Sequence, residues 1–381
     1  MGLSPMADGI KCPADGCGCR AQGTHVVDPG KVSVSAVVVN YNGADCIAAT
    51  LDGLKASSRP FAEIIVVDDG STDGSCELVR DHYPDVRLIA MERNTANLAL
   101  VRSTGLRAAT SPYAFLTDND IVLSPGCVEQ LLHTLLSRPG TFSVVPRLLD
   151  QEDNSVIYQS GNDLHFMAVS TGSSRGERLA DNSDLRPRRN IGGGIMLLDL
   201  AIVREIGYFD TGYVHGWQDD GELHYRGQLA GFTSLHDPAA HALVKVRRHG
   251  NKRAFGQYYN RLRLVATGYQ LRTLLLLAPG LLTFELALFL STIINGTSGA
   301  YLRAWRRLFM NWDDTRRMRV RIQSSRRVSD SQVLQHGSFE FPLLLKLSPP
   351  RRAVFATVLR SLDVFWWAAR IAGVKSDKPT A

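Results

Sequence analysis

Tyr113-Ala114-Phe115-Leu116-Thr117-Asp118-Asn119-Asp120 decides the fold of this chain. The run Tyr113–Thr117 is apolar enough for a buried strand, and it ends on a D-x-D. Side chains repeat every second residue in extended backbone, so Asp118 and Asp120 point the same way. Two co-facing carboxylates repel unless a cation lies between them. Their hard oxygens suit Mg²⁺ or Mn²⁺ held against a diphosphate.

Upstream, the same kind of strand recurs. Val32–Asn40 is a β-branched run closed by the turn Tyr41-Asn42-Gly43, and 48–56 reads as helix. Glu63–Asp68 is a second buried strand, closed by Asp69 and a Gly/Ser turn, with a helix over 76–82. A strand over 86–90 and a helix over 96–109 complete the approach to Tyr113. Alternating strands and helices predict α/β layers around a mostly parallel sheet. Ligands bind such sheets at the carboxyl ends of strands, where Tyr41, Asp68, Asp69, Asp118 and Asp120 all fall. Asp68 and Asp69 can accept from a base N–H or ribose hydroxyls. An Asx-turn is the plainer role for the same carboxylates.

Downstream, Gly192-Gly193-Gly194 leads into a strand over 196–198, followed by a short helix over 201–206. A second acidic cluster, Asp219-Asp220-Gly221-Glu222, then opens a helix over 222–230. Glu222 and Arg226 stand four residues apart, the spacing of a helical ion pair. Trp217 and Tyr213 precede the cluster as candidates to stack on an acceptor sugar, or as plain apolar contacts.

Together V-V-V-N-Y-N-G (37–43), I-I-V-V-D-D-G-S-T-D-G-S (64–75), F-L-T-D-N-D-I (115–121), G-Y-F-D (207–210) and D-D-G-E-L-H-Y-R (219–226) resemble the motifs of family 2 glycosyltransferases. The resemblance is to non-processive, rhamnosyltransferase-like members and covers roughly residues 32–270. It implies a GT-A fold, inverting transfer of a hexosyl or deoxyhexosyl group, and a nucleotide-sugar donor. It places Tyr41, Asn42, Asp68, Asp69 and Asp118 at the donor, and Asp118 and Asp120 on the metal. Asp220 becomes the general base for the acceptor hydroxyl. Asp219, Trp217, Arg226, Gly193 and Gly194 become acceptor or supporting residues, with Arg226 either on the diphosphate or in the scaffold. Relatives often follow the second motif with P-x-A-x-x-x-H, whose His completes the metal site. Here Pro238-Ala239-Ala240 is followed by Val244, leaving His249 and His241 as substitutes. Without Q-x-x-R-W, processive synthesis is not expected. Without G-x-x-x-x-G-K-[ST] or a strand-linked G-x-G-x-x-G, P-loop and Rossmann readings fall away. A metal-dependent nucleotidyltransferase leaves the second acidic motif unexplained. A non-catalytic scaffold leaves Asp118, Asp120 and Asp220 without a purpose.

The 381 residues suffice for a full core. Six cysteines at 12, 17, 19, 46, 76 and 127 fit a reducing compartment better than a disulfide framework. Residues 1–31, which hold Cys12, Cys17 and Cys19 in spacing unlike a zinc site, read as a flexible tail without a secretory signal. Charge divides sharply: residues 1–300 carry a net −4 and residues 301–381 a net +10. Between them Leu274–Ile294 is apolar and long enough to cross a bilayer. Pro279-Gly280 is expected to break it, and Glu285 makes a plain span costly. Residues 271–381 are therefore expected to form a basic helical extension on the cytoplasmic side of a membrane, peripheral or re-entrant. Its arginines (303, 306, 307, 316, 317, 319 and 321) would face anionic lipid. The stretch 353–371 is a second amphipathic candidate. A wholly cytoplasmic chain is the second choice. The expected partners are the donor, a glycan or lipid-linked acceptor and the lipid surface, with no nucleic acid.

Overall fold

The computed structural model describes residues 32–171, 174–245, 254–336 and 363–367. The tail 1–31, His249 and most of 353–371 lie outside the described residues.

The first half follows the alternation. Strand β1 (Val34–Asn40), helix α1 (Ile47–Lys55), β2 (Glu63–Asp68), α2 (Ser75–His82), β3 (Arg87–Ala90), α3 (Leu98–Ala108) and β4 (Tyr113–Asp118) come in that order. β1 pairs in parallel with both β2 and β4, and β2 with β3. Every residue of β1 is buried, which explains the unbroken β-branched sequence. Val34, Ala36 and Val38 share a core cluster with residues of α1 and α2; Val37 and Val39 face α3. Each buried valine contributes about 1.5–3 kcal/mol.

The second half departs from simple alternation. After β5 (Ile121–Leu123) and α4 (Cys127–Leu136) comes β6 (Thr141–Asp150), and then the short β7 (Ile157–Gln159), β8 (Asp163–Leu164), β9 (Ser170–Thr171) and β10 (Arg188–Arg189). β11 (Met196–Asp199) runs antiparallel between β4 and β6. α5 (Leu200–Ile206) and α6 (Asp219–Leu229) lead to β12 (Thr233–Val244), parallel to β6. The sheet order is β10-β12-β6-β11-β4-β1-β2-β3, with β5 beside β12 and β7 beside β6. The sheet is mixed, and most of its paired length is parallel.

Helices follow: α7 (Ala254–Gly268), α8 (Leu271–Ile294), α9 (Ser298–Met310), α10 (Trp312–Ser325) and α11 (Asp330–Val333). Buried polar ties join them to the sheet domain. Arg263 grips Asp210 of G-Y-F-D through Nε and Nη2, at 2.8 and 2.9 Å, and also reaches Asp314 of α10 at 2.8 Å. Gly212 leaves room for that guanidinium, which a Cβ would meet at 2.2 Å. Asp330 accepts from the Tyr225 hydroxyl at 2.9 Å and from Arg326 at 2.8 Å.

Four expectations for this region change. α8 runs unbroken through Pro279, whose missing N–H falls in a half-exposed turn. Glu285 is not an isolated charge: it pairs with Arg261 and accepts from the Tyr301 hydroxyl at 2.6 Å. Of 363–367, Trp366 is buried and stacked on Phe166 at 5.1 Å, and Phe365 packs on Gly280. Trp367 remains half exposed. The expected arginine array is also divided. Arg319 donates to the carbonyls of Ala266 and Tyr269, while Arg303, Arg306, Arg316 and Arg317 are exposed.

Candidate active site

One arginine joins the two acidic motifs. Asn97 caps α3 by accepting from the Leu100 N–H at 3.0 Å. Gly105 lets that helix lie close on the sheet, since a Cβ there would sit 2.3 Å from Val37. Arg102, one turn earlier, thereby reaches the carboxyl edge of β4. Its Nη2 donates to Asp118 Oδ1 at 3.0 Å and its Nη1 to Asp219 Oδ2 at 2.9 Å. Arg102 is 3% exposed and Asp219 2%, so this bridge is shielded from water. Burial pushes the Asp219 carboxyl up to about 6 against the pull of Arg102. The two carboxylates hold the guanidinium firmly charged despite its burial. Sequence reading missed Arg102. The available signal was its place with Leu98, Gly105 and Leu106 on the buried face of a helix.

The neighbouring acid, Asp220, has a different setting. It lines the cleft, and its Oδ2 accepts from the Gly193 N–H at 2.6 Å. Gly192 and Gly193 have φ of +116° and +136°, and a Cβ on Gly193 would meet Val145 at 2.7 Å. Only glycine fits this loop. Gly194 packs on the Arg102–Asp118 pair, with these two residues at 3.0 and 3.2 Å from where a Cβ would stand. The Gly192 N–H donates to Nδ1 of His224, whose Nε2 lies 2.7 Å from Ser143 Oγ. Nδ1 is therefore unprotonated and Nε2 carries the hydrogen. Burial lowers the His224 pKa to about 4, so the ring stays neutral and the loop stays docked. Further along α6, Arg226 is buried on Glu222 through Nε at 2.6 Å and Nη2 at 2.9 Å, and donates to the carbonyls of Ile206 and Tyr208. Arg226 is 2% exposed and does not line the cleft, which is the placement of a scaffold residue rather than of a diphosphate contact.

The donor side needs two corrections. Asp68 is 1% exposed, and its oxygens accept from the Ser71 N–H and hydroxyl and from Asn40 Nδ2, at 2.8, 2.6 and 2.6 Å. It closes the turn and does not line the cleft. Asn42 braces the same turn, accepting from the Thr72 N–H at 2.9 Å. Asp69 and half-exposed Tyr41 do line the cleft. Asp69 Oδ1 is bound by the N–H and hydroxyl of Thr95, at 2.9 and 2.7 Å.

The cleft encloses about 1230 Å³. Asp118, Asp120, Gly194, Trp217, Asp219 and Asp220 all line it. Tyr213 does not: it is 1% exposed, buried beneath Arg263, so it is an apolar contact and not a stacking platform. Backbone strain gathers here. Seven non-glycine residues among those described have positive φ, and five of them (Ala96, Ala168, Ser174, His215 and Gln218) line the cleft. Such conformations cost about 1–3 kcal/mol each and concentrate at functional sites.

The donor set for a metal is sparse. Asp118 and Asp120 offer hard oxygens, with Asp118 Oδ1 shared with Arg102. No group of three His, Cys, Asp or Glu able to hold a metal occurs among the described residues. Val244 forms part of the cleft wall, paired with Ile121 beside the D-x-D. The position that relatives fill with a metal-binding His is thus in place but apolar. His241 sits in β12 opposite Arg147, outside the cleft lining. The carboxylates fit Mg²⁺ or Mn²⁺ only with the remaining ligands drawn from water and a diphosphate, as Mg²⁺ accepts.

Residues 35–207 match the family described as "Glycosyl transferase family 2". The chain carries a family 2 glycosyltransferase domain. It is 30% identical over 102 residues to the uncharacterized glycosyltransferase YibD of Escherichia coli (strain K12), covering 26% of this chain and 29% of that protein. It is 22% identical over 232 residues to an N-acetylglucosaminyl-diphospho-decaprenol L-rhamnosyltransferase of Mycobacterium tuberculosis, covering 54% of this chain and 74% of the relative. The chain spans less than a third of YibD but most of the rhamnosyltransferase. Among solved structures, GalNAc-T7 with UDP, GalNAc and Mn²⁺ superposes with a TM-score of 0.51 at 17% identity, over 62% of this chain and 48% of that one. That likeness establishes the GT-A fold.

Proposed function

We propose that this family 2 domain transfers a sugar, with inversion, from a nucleotide-sugar donor to a glycan or lipid-linked acceptor. The observation that carries the proposal is the Arg102 bridge, which unites Asp118 of the D-x-D with Asp219 beside Asp220 in one cleft. The nucleoside lies toward Tyr41 and Asp69, and the diphosphate toward Asp118 and Asp120. A bound divalent cation supplies Lewis-acid neutralisation of the departing diphosphate. Asp220 takes the proton from the attacking acceptor hydroxyl, and the Gly193 N–H fixes the carboxylate through Oδ2. The Gly192–Gly193 loop and neutral His224 keep that geometry. Trp217 offers the acceptor an aromatic wall. A lipid-linked acceptor is supported by the activity for which the M. tuberculosis relative is named and by α8.

Among the described residues α8 is the one helix long and apolar enough to cross a membrane. Its buried face carries Leu277, Phe284 and Leu288, and its outer face exposes Leu271, Leu275, Leu282, Leu286 and Leu290. One packed face and one exposed apolar face favour lying in the lipid interface on the cytoplasmic side, with the exposed arginines toward anionic headgroups.

The test offers purified protein a panel of sugar nucleotides, with and without Mg²⁺ or Mn²⁺, and measures nucleoside diphosphate release. Cation-dependent release, enhanced by a lipid-linked acceptor, is expected. Asp118→Asn and Asp120→Asn should each weaken cation-dependent donor binding. Silence toward every donor, with either cation and acceptor present, contradicts the proposal.

A further inference from the structure

Arg261 of α7 lines the cleft, and it is only 2% exposed. Its Nε donates to the Met167 carbonyl at 2.8 Å, its Nη1 binds Glu285 of α8, and its plane lies over the Phe284 ring at 4.4 Å. Its Nη2 is buried and has no hydrogen-bond partner among the described residues. Its carboxylate partner Glu285 is shared with the Tyr301 hydroxyl. Arg261 is thus a guanidinium at the cleft with an unmet donor and a divided counter-charge, which is the chemistry that takes a phosphate oxygen. Its place is equally informative. Glu285 lies between Leu282 and Leu286, both more than 60% exposed, so Arg261 stands within one helical turn of the apolar outer stripe of α8.

We infer that Arg261 holds the phosphate of a lipid-diphosphate acceptor, whose hydrocarbon chain leaves the cleft along the outer face of α8. This rests on the transferase reading above and names the acceptor's chemistry. A charged headgroup meets the buried cation, the apolar chain meets the leucine stripe, and the glycan end points toward Trp217 and Asp220. Glu285 occupies part of the guanidinium until the acceptor arrives. The two residues therefore act in opposite directions on acceptor binding, although both belong to one ion pair.

The experiment titrates the full-length protein with farnesyl diphosphate, farnesol and inorganic diphosphate. It is run without divalent cation, so that Asp118 and Asp120 repel the diphosphate. Wild-type protein should bind farnesyl diphosphate more tightly than either fragment. Arg261→Gln should weaken it about tenfold or more and leave farnesol unchanged. Glu285→Gln, which frees the guanidinium, should bind farnesyl diphosphate as tightly as wild type or more so. Equal weakening by both variants would mark a purely structural pair and overturn the inference. So would an Arg261→Gln protein indistinguishable from wild type, a wild type that ignores farnesyl diphosphate, or inorganic diphosphate binding as tightly as the lipid. Should Arg261→Gln fail to fold, Glu285→Gln decides: retained or tighter binding supports the site and weaker binding removes it. Nucleoside diphosphate release, assayed in parallel, separates the two levels. Donor turnover with Arg261-independent lipid binding defeats this inference alone. Arg261-dependent lipid binding without any donor turnover defeats the transferase reading.

Discussion

Two pairs of adjacent aspartates stand at the same sheet edge, Asp68–Asp69 and Asp219–Asp220, and each pair splits its labour. In both, the first acid is the more buried, at 1% and 2% exposed; Asp69, Asp219 and Asp220 line the cleft, and Asp68 does not. They differ in how the buried member is satisfied. Asp68 is held by neutral donors, an amide, a hydroxyl and a backbone N–H, all within its own turn and the end of β1. Asp219 is held by a buried guanidinium from α3, 117 residues away in sequence. The first arrangement is local and shapes a turn. The second is long-range, and it ties Asp118 of the D-x-D to the second acidic motif. What separates the two pairs is the partner of the more buried acid, neutral and local for Asp68, charged and distant for Asp219.

The largest effect should follow removal of that partner. Arg102→Met leaves Asp219 buried without a counter-charge, and breaking such a pair costs about 3–5 kcal/mol. Urea unfolding should show this loss, with Arg102→Lys recovering part of it. A change under about 1 kcal/mol would mean that the bridge does not hold the two motifs together.

Acid should come next. His224 and His236 have pKa values lowered to about 4 and about 3 by burial, from an unfolded value near 6.5. Below 6.5 the unfolded chain binds protons that the fold refuses, so stability falls as pH drops toward 4. Asp219 acts in the opposite sense between 3.8 and about 6, because its raised pKa makes the fold take the proton first. Two histidines outweigh one aspartate, and a net loss of several kcal/mol is expected between pH 6.5 and 4.5. Denaturant midpoints that stay flat over this range would show the histidines to be wet.

Asp68→Asn should be the mildest change. Its partners are neutral, so an amide keeps part of the network, and the cost should be about 1 kcal/mol with donor affinity near wild type. Asp69→Asn should do the reverse, sparing stability and weakening the donor. If calorimetry shows Asp68→Asn to be the variant that loses donor, the first pair is assigned the wrong way round.

What could be read from the sequence follows the same divide. Glu63–Asp68 and the strand ending at Asp118 were legible because both faces of those strands are buried and their apolar runs are unbroken. The strands β6 and β12, to which much of the second half pairs, were not. Pro146 and Arg147 interrupt the first; Asp237, Pro238 and His241 interrupt the second, which also shifts register between Asp237 and His241. Their polar side chains serve buried networks: Arg147 donates to Ser160 Oγ, and Asp237 accepts from Thr134 and Gln130. Periodicity cannot see such networks. The motif acids were legible by type and spacing, but not by burial. That is why Asp68 and Asn42 were expected in the cleft, why Tyr213 was left open between a stacking and an apolar role, and why Arg102 and Arg261 were not expected.

The most direct measurement compares Asp219→Asn with Asp220→Asn, scoring donor affinity, turnover and stability on the same preparations. Asp220→Asn should lose on the order of 10²–10⁴ in kcat with donor affinity and stability near wild type, because a general base acts only on the acceptor hydroxyl. Asp219→Asn should lose stability and donor affinity together, because Arg102 then draws on Asp118 alone. Near wild-type turnover in Asp220→Asn, with turnover abolished in a stable Asp219→Asn, would make Asp219 the base and contradict the account.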